Sequence, residues 1–423
     1  MPVLADITPL RESRDFRRLY FGQLVSLLGT QVTVVAVAVN VYDLTNSSLQ
    51  VGLVSLAQIG PLIVGSILGG AVADAVDRRR LLLWSQVLLG LTSLALVANA
   101  AGPNALWPVY VVTAAAAGIS GFDRPARSAA LPGLVSRAQL SNAYALWQVL
   151  IQAGAVVGPA VAGLLVGHFG VGTAYALDAV TFGVAFVAVW GMSPLPPEGG
   201  GTRPGLSSIT EGFRFVRQRQ ELVGVFVIDI NAMVFGLPRA VFPALAERVF
   251  GGGASTVGLL YAAPGAGALV GALTTGWVGR IRRQGMAVLV CVAVWGGAMA
   301  LFGLTTWLPL ALALLAIAGA ADVISAVFRN TILQLTVPDN LRGRLSAVQI
   351  AVVTGGPRLG DVEAGAAAAL VGTRFSVVSG GLACMAGVAL CAWLLPGFRK
   401  ASVLTEPAEA PPPLVPEPPP AGS

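Results

Sequence analysis

The stretch GGAVADAVDRRRLLLW (Gly69 to Trp84) sets two aspartates and three consecutive arginines between two apolar runs. The chain around it has 423 residues, of which 55% are hydrophobic and only 11% charged. Its mean hydropathy is +0.78. A water-soluble protein of this length needs far more charge to cover its surface. Working outward from the cluster, apolar runs of about 20 residues recur along the whole sequence, the length at which a helix crosses a bilayer. Buried strands of a soluble α/β protein are much shorter. The charged stretch therefore reads as a loop at a membrane surface.

The pattern predicts twelve spanning helices, at about 19–43, 49–74, 81–101, 106–126, 140–166, 172–191, 221–245, 255–279, 286–305, 308–330, 345–371 and 374–395. They are called spans 1 to 12 below. Short neutral turns (DLTNSSLQ, AGPNAL, GHFG, TTWLP) alternate with arginine-bearing connections. Of the 26 lysines and arginines, all but four fall at the termini or in, or within two residues of, the even-numbered connections. Arg248 and Arg374 lie on the opposite side, and Arg239 and Arg358 fall inside spans. Basic residues mark the cytoplasmic side, so both termini are expected in the cytoplasm of a bacterial inner membrane. The net charge of +6 is thus a topology signal and not a nucleic-acid surface.

The chain also repeats itself. Phe122 precedes Pro132 by ten residues (FDRPARSAALP), and Phe328 precedes Pro338 by the same interval (FRNTILQLTVP). GGAVADAVDRRR after span 2 has a degraded echo, TTGWVGRIRRQG, after span 8. The expected organisation is an all-α membrane protein with two pseudo-symmetric six-helix bundles, over 1–192 and 221–397. Between them lies a cytoplasmic linker, 193–220, whose end (EGFRFVRQRQ, 211–220) reads as a short basic amphipathic helix. A Pro-rich cytoplasmic tail occupies 398–423. Repeated halves place a substrate site between them near the midplane.

Several functions are argued against. Cys291, Cys384 and Cys391 all lie in apolar runs, without disulfide or metal spacing, and His168 is the single histidine. No phosphate-binding glycine loop is present, so neither a cofactor nor direct ATP use is expected, and the chain does not read as an enzyme. The N-terminus carries no secretory signal. Energy is then expected from an ion gradient, with protons as the coupling ion.

Gly70-x-x-x-Asp74 followed by Arg78 and Arg79, between spans 2 and 3, resembles the signature loop of the major facilitator superfamily. Ala75 and Asp77 depart from the usual loop. The resemblance implies that Asp74 faces the N-terminus of span 11, near Arg344–Ser346, with Arg127 as a second partner, closing a cytoplasmic gate. Gly69 and Gly70 would let helices approach closely. In span 5, GAVVGPAVAG, with Gly154, Gly158, Pro159 and Gly163, resembles the glycine motif of exporters in this superfamily. FPALAE (242–247), GLLYAAPGAGALVGALTTG (258–276) and PDNLRGRLSAV (338–348) are similar to siderophore exporters; macrolide exporters share the architecture. The resemblance implies a monomeric proton-driven antiporter that moves a siderophore or similar small amphipathic molecule outward. A broad drug pump, or a scaffold or sensor that transports nothing, are the alternatives.

Ionisable groups inside spans are costly and usually functional. Asp178, Asp229, Arg239, Asp322, Arg358 and Asp361 stand out, with Glu363 close by. Arg358 and Asp361 share a helix face and would neutralise each other. Spans 1, 4, 7 and 10 line the cavity in this superfamily, which favours Asp229, Asn231, Arg239 and Asp322, with Ser325 and Arg329 continuing the Asp322 stripe. Arg239, near the outer end of span 7, would take an anion in two-point fashion. Asp229 has an alternative partner in Arg358.

Overall fold

In the computed structural model, residues 6–196, 215–337 and 339–402 are described, without the side chains of 339–344, 346, 347, 350 and 351. The described residues are helical throughout, with no strand. The spans are Arg14–Thr45, Ser48–Ala75, Arg78–Ala101, Leu106–Leu134, a pair within Leu140–Trp190, Gln220–Phe235, Ala254–Leu273, Gln284–Leu304, Leu308–Thr336, Asp339–Val371 and Thr373–Leu394. Among the described residues, nine helices are long and apolar enough to cross a membrane by composition alone. One of these is spans 5 and 6 together, divided at Gly170, whose φ of 78° is the left-handed region open to glycine. Spans 4 and 11 carry more charge and make up twelve.

Local chemistry explains the ends. Ser13 Oγ accepts from the Phe16 N–H at the start of span 1, and Ser47 Oγ from the Gln50 N–H at the start of span 2. Asp77 caps span 3 by accepting from the Arg79 N–H at 2.8 Å. Spans 4 and 10 continue to Leu134 and Thr336, well beyond the expected 126 and 330. Arginine marks where the bilayer ends but does not stop a helix, so these spans run on past the membrane. Large exposed tryptophans sit near both ends of the helices, Trp107 and Trp307 at the neutral end and Trp84, Trp190 and Trp393 at the arginine-rich end. Of the expected amphipathic helix, 215–217 are helical; 211–214 lie outside the described residues, as do most of the linker and the tail beyond 402.

The two halves meet at the neutral end. A Cβ on Gly52 of span 2 would collide with the backbone of Asp361 in span 11, and one on Gly163 of span 5 would stand 2.9 Å from Gly258 Cα in span 8. Ser255 Oγ donates to Gly163 O at 3.3 Å, and Arg248 Nη2 donates to Asn46 O at 3.3 Å. Ser55 Oγ donates to Asp361 Oδ2 at 2.8 Å somewhat deeper. These contacts between the halves lie toward the neutral end.

Candidate functional site

Span 7 does not run on to 245. It stops at Phe235, and the chain passes through Gly236-Leu237-Pro238 into a 3-10 turn, Arg239–Val241, before a short helix, Phe242–Arg248. Pro238 has no N–H to continue the ladder. Freed carbonyls inside a membrane must find donors. Trp295 Nε1 of span 9 donates to Gly236 O at 2.6 Å, and Tyr261 Oη of span 8 donates to Arg239 O at 3.2 Å. The break is thus a built feature, and it delivers Arg239 toward Asp361. Arg239 Nε stands 4.0 Å from Asp361 Oδ1, an ion pair too long for a hydrogen bond.

Arg358 and Asp361 form no close ion pair with each other among the described residues. Arg358 Nη1 donates to Thr354 O, one turn back on its own helix, at 2.7 Å. Asp361 turns across to Ser55 of span 2 and to Arg239. The i, i+3 spacing puts both on one broad face, but Asp361 finds closer donors on neighbouring elements.

A second cluster joins spans 7 and 10. Arg329 Nη1 stands 2.6 Å from Asp229 Oδ1, and Arg329 Nη2 donates to Asp322 Oδ1 at 3.4 Å. Asp229 therefore pairs with Arg329, not with Arg358. Asp229 and Arg329 are buried, whereas the Asp322 side chain keeps 36% of its surface exposed. Ser325, on the same stripe, is fully buried.

Two residues expected at the cavity face elsewhere. Asn231 donates to Cys384 O of span 12 at 2.9 Å. It lies two positions after Asp229, about 200° around the helix, so the two side chains point apart. Asp178 is buried inside the first half, accepting from Thr33 Oγ1 of span 1 and Ser93 Oγ of span 3 at 2.8 Å each. Its own-helix neighbour Thr181 lies at 3.5 Å. Among the described residues it has no cationic partner.

At the arginine-rich end, Asp74 is exposed and forms no ion pair among the described residues. The side chains of Arg344 and Ser346, its expected neighbours, lie outside the described residues. Arg127 pairs instead with Asp123, one turn back on span 4, which also accepts from Gln86 Nε2 at 3.4 Å. The nearer helix position wins over the loop. Gly69 does bring span 2 against Phe122, but Gly70 faces open space. The arginines of the loop do more than hold it in place. Arg79 Nε donates to Val189 O at 3.3 Å and its Nη2 to Trp190 O, covering the C-terminal carbonyls of span 6. Asp77 accepts from Leu195 N–H at 3.1 Å, and Arg78 N–H donates to Leu195 O at 3.0 Å. The start of the linker is clasped to the loop between spans 2 and 3. In span 5, Gly154 and Gly158 pack against the side chains of Leu27 and Gln31 of span 1, and Gly163 against span 8.

Two arginines, the exposed Arg124 and the buried Arg329, are the residues that sequence reasoning under-read. Both were grouped with the basic connections, yet both lie inside helices, in spans 4 and 10. Arg124 makes no ion pair or side-chain hydrogen bond among the described residues. Helical spacing did link Arg329 to Asp322; nothing in the sequence linked it to Asp229.

Residues 4–417 match the model of the transmembrane secretion effectors. The chain belongs to that family. It is a membrane transporter of the major facilitator superfamily. It is 28% identical to the enterobactin exporter EntS of Shigella boydii serotype 18 over 369 residues, which cover 87% of this chain and 88% of the relative. The enterobactin exporter EntS of Escherichia coli O139:H28 gives the same identity and coverage. The fold is shared with a POT family transporter in complex with 5-aminolevulinic acid, at a TM-score of 0.75, 12% identity and 91% and 97% coverage of the two chains. A bacterial homologue of the iron transporter ferroportin in an inward-facing state superposes with a TM-score of 0.68, 14% identity and 92% and 99% coverage.

Proposed function

We propose that the protein is a proton-coupled exporter of a siderophore or similar small anionic molecule, working by alternating access between its halves. The observation that carries the reading is the Asp229–Arg329–Asp322 cluster. One guanidinium cannot neutralise two carboxylates, and an uncompensated charge within a membrane protein is costly. Asp229 holds the arginine at the shorter distance, and the more exposed Asp322 is left as the group a proton can reach. Protonation would loosen its hold on Arg329 and so couple the gradient to the arrangement of spans 7 and 10. The relatives' export of enterobactin supports the substrate class. The basic end is read as the cytoplasmic one, where cargo for export is loaded. Both termini then lie in the cytoplasm of a bacterial inner membrane, and the monomer is the working unit.

Inverted membrane vesicles test this. Iron-free enterobactin should accumulate when a proton gradient is imposed, and accumulation should stop when a protonophore collapses it. Asp322→Asn should bind substrate but lose the gradient dependence. Accumulation indifferent to the protonophore would remove proton coupling. Accumulation of a macrolide in place of the siderophore would replace the substrate class and keep the transporter.

A further inference from the structure

A buried donor and a buried acceptor face each other across a gap where the two halves meet. Arg239 Nε, just past the break in span 7, and Asp361 Oδ1 of span 11 are 4.0 Å apart. Both atoms are shielded from solvent, and neither has a hydrogen-bond partner. An unsatisfied buried polar atom is costly, and closing the gap by about 1 Å would satisfy both. Asp361 is held on its other side by the opposite half. Its Oδ2 accepts from Ser55 Oγ of span 2 at 2.8 Å. Span 11 is also pressed against span 2 at this level. A Cβ on Gly52 would collide with the backbone of Asp361, and one on Gly365 would stand 2.6 Å from Ser48 O. The Arg239 backbone is fixed in turn by Tyr261 Oη of span 8, which donates to its carbonyl at 3.2 Å. One carboxylate therefore sits between a donor from the first half, which it reaches, and a donor from its own half, which it does not.

We infer that Asp361 is a latch that exchanges partners during the transport cycle. With spans 2 and 11 in contact, Ser55 holds the carboxylate and keeps it short of Arg239. When span 2 withdraws, the Ser55 bond breaks, and Arg239 closes on Asp361 as a direct, charge-assisted pair. Parting the halves would otherwise leave a buried carboxylate without a close partner, which strongly disfavours the parted state. Ser55 thus stabilises the joined state and Arg239 the parted one, with Asp361 common to both. Two packings of the same elements, each with its own hydrogen bond, make a two-state element of the kind that switching requires. Arg239 and Ser55 are positioning residues that act through Asp361. The inference rests on the alternating-access reading for the motion, but not on the identity of the cargo or the coupling ion.

Hydrogen–deuterium exchange of the full chain in lipid nanodiscs tests the latch, read at the facing segments 46–56 and 360–371. Ser55→Ala should speed exchange there about tenfold, the scale of losing one hydrogen bond to a charged group. Arg239→Met should slow it severalfold, because the parted state loses its ion pair. The opposite signs are the signature. A fixed structural contact predicts faster exchange in both variants, since both side chains stand beside Asp361 in the joined state. Exchange in span 9 should stay constant, which separates a shift of the latch from general unfolding. Gel filtration verifies that each variant is folded. If Arg239→Met does not fold, Asp361→Asn replaces it: it keeps an oxygen for Ser55 but removes the charge that Arg239 needs, and should also slow exchange. Shifts of the same sign, or no shift in either member of the pair, overturn the latch. Vesicle flux separates the two readings. Opposite-signed exchange without enterobactin uptake sinks the cargo reading and leaves the latch, whereas uptake with same-signed exchange sinks the latch and leaves the exporter.

Discussion

Span 1 and span 7 hold the same place in the two halves, yet one runs unbroken for 32 residues and the other stops after 16. The repeated positions after Phe122 and Phe328 diverge in the same spirit. Asp123 in the first half is neutralised within its own helix by Arg127, while Arg329 in the second reaches across to span 7. The acid of the first half that lies deepest, Asp178, is satisfied by hydroxyls of spans 1, 3 and 6. These two buried acids of the first half thus find their partners within it. Those of the second half connect separate elements through a broken helix. The break at Gly236–Pro238 lies between Asp229 and Arg239 in the chain, whereas span 1 has no such break.

The largest expected effect tests the contact that has no counterpart in the first half. Arg329→Met leaves Asp229 buried and unpaired, which should cost about 3–5 kcal/mol of stability and abolish transport. The double variant with Asp229→Leu should regain stability in thermal unfolding but not transport. A single variant as stable as the wild type would break the comparison. Next, Trp295→Phe keeps the ring but removes the donor to Gly236 O. A buried carbonyl left unsatisfied should lower stability by about 1–3 kcal/mol.

Two smaller effects sharpen the contrast. Asp74→Asn should slow transport severalfold while membrane abundance stays the same, because a charge–dipole contact of about 0.3–1 kcal/mol biases a conformational equilibrium without holding the fold. Wild-type rates in that variant would remove Asp74 from the gate. The smallest effect belongs to Asp178→Asn, which keeps hydrogen-bonding capacity among the same hydroxyls. Transport and its dependence on the proton gradient should stay within about twofold of the wild type, in line with a change that keeps the same hydroxyl partners. Loss of coupling there would move the proton chemistry into the first half.

The twelve spans, the repeat and the clustering of arginine at one end were all legible, because hydropathy and charge are one-dimensional signals that the bilayer reads directly. The gate loop and the glycine motif were legible as motifs. Their partners were not. The charges that bind Asp361 come from span 7 and Ser55 from span 2, far apart in sequence. Arg124 escaped notice, and Arg329 was read only as continuing the Asp322 stripe, because a helix can outrun the membrane, so a charge near an expected boundary looks like loop. The break in span 7 did leave a trace, GLPRAVFP, with two prolines and a glycine in eight residues. Its apolar content hid it within a continuous hydrophobic run.

Of the eight tryptophans, Trp295 is the one among the buried core residues, and it touches the chain at the break in span 7. Trp84, Trp107, Trp190, Trp277, Trp307 and Trp393 are all exposed on the outer surface of the bundle. The protein therefore contains its own optical probe. Emission from Trp295 should be blue-shifted and shielded from quenchers dissolved in the lipid, unlike that of the exposed indoles. Any turn of the transport cycle that reshapes the break must alter the hydrogen bond on its indole nitrogen, and so its spectrum. A variant keeping only this tryptophan would report the movement of span 7 by fluorescence, with no label attached.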